Sequence, residues 1–370
     1  MKLKIDRAIF LKSLTHAQSI VERRTTVPIL SHVMLSAKDQ TLTLTATDLD
    51  LSFTQTLEAQ VEKGGVLTVS AHMLYDIVRK LSAKEPLSLA LNTQNQQLTL
   101  TSGKSEFILS TLSHEEFPVF QQDTLPYTFE LPAATLRKLI DSTRFAMATE
   151  ETRYYLNGLY WHTCEETHKL RIVATDGHRL ARAQTDLPKQ ATGMPGVILS
   201  RKTVGELRKI IDELEMGIAV GLSESQMRFA FGNTILTSRL IDGTFPDYQK
   251  VIPDANDRVL SMNTKDFAEA VDRVSIITSE RSRAIKLSLK DNLLMLSAVS
   301  SENGSAREEL AVSYDNEQLE IGFNAKYVLD VTSHLVGDEV KFFLSDSTAP
   351  VVIYDLGDMD NLFVLMPMRV

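Results

Sequence analysis

Apolar and polar residues alternate through Thr41-Leu42-Thr43-Leu44-Thr45 and Gln97-Leu98-Thr99-Leu100-Thr101, the period of a half-buried strand. Met227-Arg228-Phe229-Ala230-Phe231 reads the same way, and the turn signals Ser102-Gly103 and Gly232-Asn233 predict antiparallel hairpins. Helical spacing interrupts the strands at intervals. Apolar pairs at i, i+4 mark three helices, as Phe10/Leu14, Leu136/Ile140 and Phe267/Val271, each after a polar or Pro-containing start. Stripes at i, i+3, i+7 predict three more: Leu74/Ile77/Leu81, Val204/Leu207/Ile211 and Val328/Val331/Leu335.

The two helix types alternate because the sequence repeats. Ala46-Thr47-Asp48 returns as Ala174-Thr175-Asp176, a displacement of 128 (174 − 46), and Phe117-Pro118 returns as Phe245-Pro246 at the same displacement. A third copy follows by pattern alone, with Leu293-Leu294-Met295-Leu296-Ser297-Ala298 standing where Leu42–Ala46 and Leu170–Ala174 stood. Each copy reads as helix, strands, helix, strands, so it is itself two similar halves. Linkers at 120–126 and 253–257 predict domains 1–126, 127–254 and 255–370. The expected class is α+β: three tandem copies of a two-helix, antiparallel-sheet domain.

Composition narrows what such a molecule can do. The 370 residues, 43% hydrophobic and 24% charged, exceed what one core usually fills. A net charge of −9 excludes coating of nucleic acid through bulk charge, so any such contact must be local. The single cysteine, Cys164, excludes an intramolecular disulfide framework and suits a reducing compartment. Lys2, Lys4, Asp6 and Arg7 spoil any secretion signal, and no apolar run approaches the roughly eighteen residues of a membrane span. A cytoplasmic location is expected.

Several motifs that suggest chemistry fail on inspection. Ser102-Gly103-Lys104-Ser105 resembles the end of a phosphate loop, but Leu98 stands where that loop needs glycine, and the segment lies in a hairpin. Thr175-Asp176-Gly177-His178-Arg179 pairs an acid with a base, yet its counterpart Thr47-Asp48-Leu49-Asp50 keeps the Asp and loses the His, which favours a turn residue. The histidines are scattered singly; His162, Cys164 and His168 have no second ligand cluster, so neither metal nor cofactor is expected. The basic pairs Arg23-Arg24, Arg79-Lys80, Arg137-Lys138, Arg201-Lys202 and Arg208-Lys209 sit on or beside helices, where stacked repeats would add them into a stripe. The apolar, Met-containing tail Leu362–Val370 suits either a last core strand or a surface for partner peptides.

Arg153-Tyr154-Tyr155-Leu156-Asn157-Gly158, Ala174–Leu180, Asp242–Tyr248 and Met366-Pro367-Met368-Arg369, in this order and with the threefold repeat, resemble the β sliding clamps of bacterial DNA polymerase III from end to end. The resemblance implies the DNA clamp fold, closed by two chains head to tail into a ring around duplex DNA, and no catalytic residue. The implied partners are double-stranded DNA, the polymerase III catalytic subunit, the clamp loader and other polymerases or repair proteins bound through short peptides. Size agrees. A domain of this length is a sphere of roughly 35 Å diameter; six touching spheres leave a hole about that wide, ample for a duplex, and three leave about 5 Å.

Carried over by motif, the implied peptide pocket comprises Leu156, Thr175, Gly177, His178, Arg179, Leu180, Pro246, Val251, Val364 and Met366, flanked by Arg153, Tyr155, Asn324, Tyr327, Ser347 and Met368. Phe107 and Leu109 would meet Ile276 and Ile277 at the dimer seam, and Arg24, Arg79, Tyr154, Arg201 and Lys202 would face DNA. His72-Met73 stands where such clamps often have a basic pair, and Thr348-Ala349-Pro350 gives the pocket a small, stiff edge. A peptide-binding scaffold without nucleic acid and an enzyme using Asp176 and His178 are the competing readings.

Overall fold

The computed structural model describes residues 1–120, 124–212, 214–279 and 282–370. Residues 121–123 of the linker expected at 120–126 thus lie outside the described residues. Among the described residues there are six α-helices: α1 (Arg7–Ile20), α2 (Ala71–Lys80), α3 (Ala133–Asp141), α4 (Arg201–Ile210), α5 (Thr264–Ser275) and α6 (Ala325–Thr332). Phe10, Leu14, Leu136, Ile140, Phe267 and Val271 are all fully buried, as their i, i+4 spacing requires. Side-chain caps fix three starts: Asp6 accepts from the Ala8 and Ile9 amides, Asn263 from Asp266 and Asn324 from Lys326.

The predicted stripes overrun their helices: that of α4, which ends at Ile210, does so by one residue, the buried Ile211, and the other two differ further. In α2 the buried residues are Ala71, Leu74 and Val78, while Ile77 and Leu81 are half-buried and Leu81 is already extended. The spacing is the expected i, i+3, i+7, but it begins three residues earlier on a small alanine that carries little pattern. α6 ends at Thr332, so Leu335 lies beyond it.

The described residues form two compact units. The first comprises Met1–Ala134, Pro188–Ala191 and Lys202–Leu240. It contains a thirteen-stranded antiparallel sheet, in the order Tyr127–Pro132, Gly217–Leu222, Gln226–Phe231, Thr234–Arg239, Leu51–Glu58, Thr41–Thr47, His32–Lys38, Gly65–Ser70, Ser105–Leu112, Gln97–Ser102, Leu87–Asn92, Lys2–Ile5 and Gln60–Lys63. The sheet passes from the first sequence copy into the second where Phe53 pairs with Leu236. α1 packs on α2 and on the strands Thr41–Thr47 and Leu51–Glu58.

The second unit comprises Thr135–Leu187, Thr192–Arg201 and Ile241–Val370. Its eight-stranded sheet runs Val197–Ser200, Gly158–Cys164, Lys169–Thr175, Arg179–Asp186, Asn361–Leu365, Val351–Asp355, Glu339–Leu344 and Arg258–Asn263. Here the second copy joins the third, with Leu180 opposite Val364. A four-stranded sheet, Gly304–Ala311, Leu293–Ser300, Ala284–Lys290 and Leu319–Asn324, carries α5 and α6. The tail links the two sheets: the Met366 amide donates to the His178 carbonyl and the Met368 amide to the Gly322 carbonyl, both at 2.9 Å.

Candidate functional site

The second unit builds its site around a tight turn after strand Lys169–Thr175. Thr175 Oγ1 accepts from the Gly177 amide at 3.1 Å, and Asp176 Oδ1 accepts from the His178 and Arg179 amides at 2.9 and 3.0 Å. Gly177 takes φ +88°, a left-handed value that suits glycine. The first unit repeats this turn. Thr47 Oγ1 accepts from Leu49, and Asp48 Oδ1 from Asp50 and Leu51, with Leu49 at φ +84°. A carboxylate spent in the same way at both places is a turn-former, and Asp176 gives its other oxygen to Arg179 Nε at 3.1 Å. His178 instead stacks on Tyr327, 6.1 Å between ring centres.

Arg179, implied by the resemblance as part of an apolar subsite, turns its charged end into the protein. Its guanidinium is buried and fully engaged: Nε on Asp176, Nη1 on Asp330, and Nη2 donating to the Phe145 carbonyl at 2.7 Å. It also lies over the rings of Tyr327 and Phe145, at 4.6 and 5.3 Å. Two carboxylates and a carbonyl reward ionised arginine here, so the residue holds the wall of the site together.

Beside this wall lies an apolar floor. Leu156, Leu180 and Val364 belong to one buried cluster with Ala148, Val173, Ile198, Phe245, Tyr248, Val352 and Leu362, and Tyr155 packs against it. Exposed Pro246 lies within the segment that presents Phe245 and Tyr248, and Val251, 40% exposed, follows it. Met366 and Met368 are half-buried on the tail. Arg153 pairs with Glu150 at 2.8 Å and leans on the turn so closely that a Cβ on Gly177 would sit 2.7 Å from its Nη1. Asn324 is the cap of α6, and Ser347 is exposed within a loop that Asp346 closes by accepting from Thr348 and Ala349. The whole implied pocket set therefore falls in one unit. Phe245, Tyr248, Asp330 and Phe145 also build this floor and wall, although the implied pocket does not include them; the repeated Phe-Pro pair is a sequence signal for Phe245, whereas Asp330 and Phe145 carry none.

Electrostatics near the floor follow from burial. His162 Nε2 meets the Tyr248 hydroxyl at 2.9 Å, and burial pushes His162 below its ordinary value. Burial, and then Asp176, push the Tyr327 phenol up.

The remaining implied residues divide between the units. Arg24 is exposed; Arg79 is exposed, pairs with Asp76 at 3.4 Å and lies over Tyr75. Tyr154 is exposed, and Arg201 Nη1 donates to the Ala148 carbonyl at 3.1 Å. Lys202, implied to face DNA, donates from its ammonium to the Ile20 carbonyl at 2.9 Å and pairs with Asp48. Of that basic pair, Arg201 has no carboxylate partner among the described residues. His72 is half-buried in α2, its pKa lowered by burial and by Arg23, and Met73 is exposed. Phe107 and Leu109 are half-buried on Ser105–Leu112, where residues 105–110 pair only with Gln97–Ser102 and leave an open edge. Ile276, beyond α5, is 77% exposed and Ile277 half-buried, and Gly304–Ala311 is a second open edge. No helix of the described residues is long and apolar enough to cross a membrane.

Three family models match in succession: the N-terminal, central and C-terminal domains of the DNA polymerase III beta subunit, over residues 1–121, 130–247 and 249–369. The chain is 45% identical over 372 residues to the beta sliding clamp of Caulobacter vibrioides, and 36% identical over 370 residues to that of Escherichia coli K12, covering all of both chains in each case. Among solved structures it is similar to a Bartonella birtlesii sliding clamp bound to griselimycin, at TM-score 0.97 and 46% identity over the whole of both chains. A Caulobacter crescentus clamp with polyethylene glycol bound to its putative beta-motif tethering region matches at TM-score 0.98 and 45% identity, covering 100% of this chain and 99% of that one. Tandem copies, antiparallel sheets that run from one copy into the next and full-length likeness agree, and the chain belongs to the DNA polymerase III beta subunit family, the beta sliding clamps.

Proposed function

We propose that this clamp works as a ring of two protomers joined head to tail around duplex DNA, and that each protomer offers partner proteins the apolar floor of its second unit. Membership of the family makes the chain a DNA sliding clamp, a processivity factor of polymerase III that does no chemistry of its own. The ring reading takes three domains per chain, 1–126, 127–254 and 255–370, and a cytoplasmic setting. It is supported by two unsatisfied strand edges, 105–110 and Gly304–Ala311, each with apolar residues nearby that water would otherwise cover. Replacing Ile276 and Ile277 by Ala is expected to give monomers, and a double variant that still sediments as a dimer at micromolar concentration overturns the seam.

Arg24, Arg79, Tyr154 and Arg201 are the side chains proposed to meet DNA. With a dimer charge of twice −9, retention must come from enclosure more than attraction. Loaded protein should stay on nicked circles at salt that strips ordinary phosphate binders, and run off once the circle is cut.

One observation carries the peptide reading: a buried apolar cluster, Leu156, Leu180 and Val364 within it, is bordered by exposed Pro246 and Val251 and by a tail whose two methionines remain partly open. Such a floor takes a short segment with one or two large apolar anchors. Deleting Met366–Val370 should cost partner peptides about 2 kcal/mol or more while the dimer survives. Unchanged affinity by calorimetry would place the pocket elsewhere.

A further inference from the structure

The face of the eight-stranded sheet that carries the apolar floor continues into a cationic region. Residues opposite one another in antiparallel strands share a face, and rows on that face are two residues, or about 7 Å, apart. One row holds Thr175, Leu180, Val364 and Val352, all on the site side. The next holds Tyr160, Val173, Arg182, Leu362 and Tyr354. The one after holds His162, Arg171 and Gln184, and beyond it lie Cys164, Lys169 and Asp186.

Arg182 therefore sits between Val173 and Leu362 of the floor, one row from Leu180 and Val364, with Tyr160 and Tyr354 at the ends of its row and Tyr248 and Tyr354 among the groups that act on its charge. Its Nε is buried and has no hydrogen-bond partner among the described residues. Arg171, itself buried, spends its guanidinium on neutral oxygens, Gln184 Oε1 at 3.2 Å and Thr167 Oγ1 at 3.3 Å. The nearby carboxylates are committed elsewhere: Lys169 holds Asp186 at 2.9 Å and Asp360 at 3.5 Å, and Gln184 also donates to Asp360. Neither arginine has an ion-pair partner among the described residues. Burial, with Arg171 and Arg182 adding to it, disfavours protonated His162, so the one titratable neighbour on the row does not add a cation. Two desolvated guanidiniums without a counter-charge are costly, and a carboxylate arriving there would be held by charge-assisted hydrogen bonds in a low-dielectric setting.

We propose that Arg182, backed by Arg171, is an anionic subsite of the peptide groove that selects an Asp or Glu side chain placed beside the apolar anchor of the bound segment. The proposal rests on the reading that the floor receives a peptide, and the test separates the two. Random octapeptides displayed on phage as amino-terminal fusions, which have no free carboxyl terminus, are selected on the full-length protein, on Arg182→Gln and on Arg182→Lys. Large apolar anchors should emerge from all three, with Asp or Glu enriched at a fixed offset on the wild type and on Arg182→Lys but not on Arg182→Gln. For a selected peptide, Glu→Gln should weaken wild-type binding about tenfold or more, and leave Arg182→Gln binding unchanged. The Glu/Gln comparison on the wild type needs no variant, so a poorly folded Arg182→Gln does not shield the proposal. Apolar anchors without acidic enrichment, or an equal Glu→Gln penalty on wild type and Arg182→Gln, overturn the subsite and leave the peptide groove standing; failure to select apolar anchors on any protein overturns the groove itself.

Discussion

Replacing Arg179 by Met tests whether this residue is a structural keystone, because Met keeps much of the apolar volume and removes only the guanidinium. That group links Asp176, Asp330 and the Phe145 carbonyl, with the arginine side chain 9% exposed and the two carboxylates 16% and 31% exposed. Breaking a buried pair by deleting one partner costs about 3–5 kcal/mol, since the other charge stays behind. Hydration available to Asp330 pulls the figure toward the lower end, and losing the stacking on Tyr327 and Phe145 adds about 0.5–2 kcal/mol. The expected loss is about 3.5–5 kcal/mol. Trp161, the only tryptophan and fully buried in the same unit, reports the transition by fluorescence in urea. Adding Asp330→Asn should recover part of the loss in the Met background while costing stability on its own, the signature of a coupled pair. An Arg179→Met cost below about 1 kcal/mol, or strict additivity of the two changes, would refute the keystone.

Other consequences follow from single residues. A Cβ at Gly322 would meet the Met368 carbonyl at 2.5 Å and the Val370 side chain, so Gly322→Ala should release the tail, costing about 1–3 kcal/mol and weakening peptide binding measured by fluorescence polarisation. Leu49 is 48% exposed at φ +84°, where the matching turn has Gly177, so Leu49→Gly should raise thermal stability, by about 1 kcal/mol. His16, His32, His72 and His162 are all held below 6.5, chiefly by burial. The unfolded chain then binds protons first as pH falls, so stability in urea should be level above about pH 7.5 and decline as pH drops through 6.5 toward the folded-state values. His162→Gln should make that decline shallower.

Local order was legible where one face of an element is buried and the other wet. The period-two runs became strands and the i, i+4 pairs became buried helix faces, because burial of one face is what writes those periods. The stripe of α2 was displaced because Ala71 packs fully yet barely registers as apolar. The joining of strand Leu51–Glu58 to Thr234–Arg239, and of Arg179–Asp186 to Asn361–Leu365, had no local trace, since edge pairing between distant strands is decided by tertiary packing.

The site shows the same limit. Asp48 and Asp176 were readable as turn residues from the repeat, but not what their second oxygens do. Asp48, from the first copy, holds Lys202 of the second; Asp176 holds Arg179, which reaches Asp330 of the third. In each unit the repeated aspartate thus closes its own turn with one oxygen and anchors a cation at a junction between copies with the other. That double use explains why the motif recurs while its flanking residues diverge. The turn needs Thr and Asp, but the cation differs, a lysine from α4 of the next copy in one unit and the turn's own arginine in the other. Lys202, which read as part of a basic stripe, is a joint between repeats, as is Arg179 of the implied pocket, and the charge left over for DNA is correspondingly sparse.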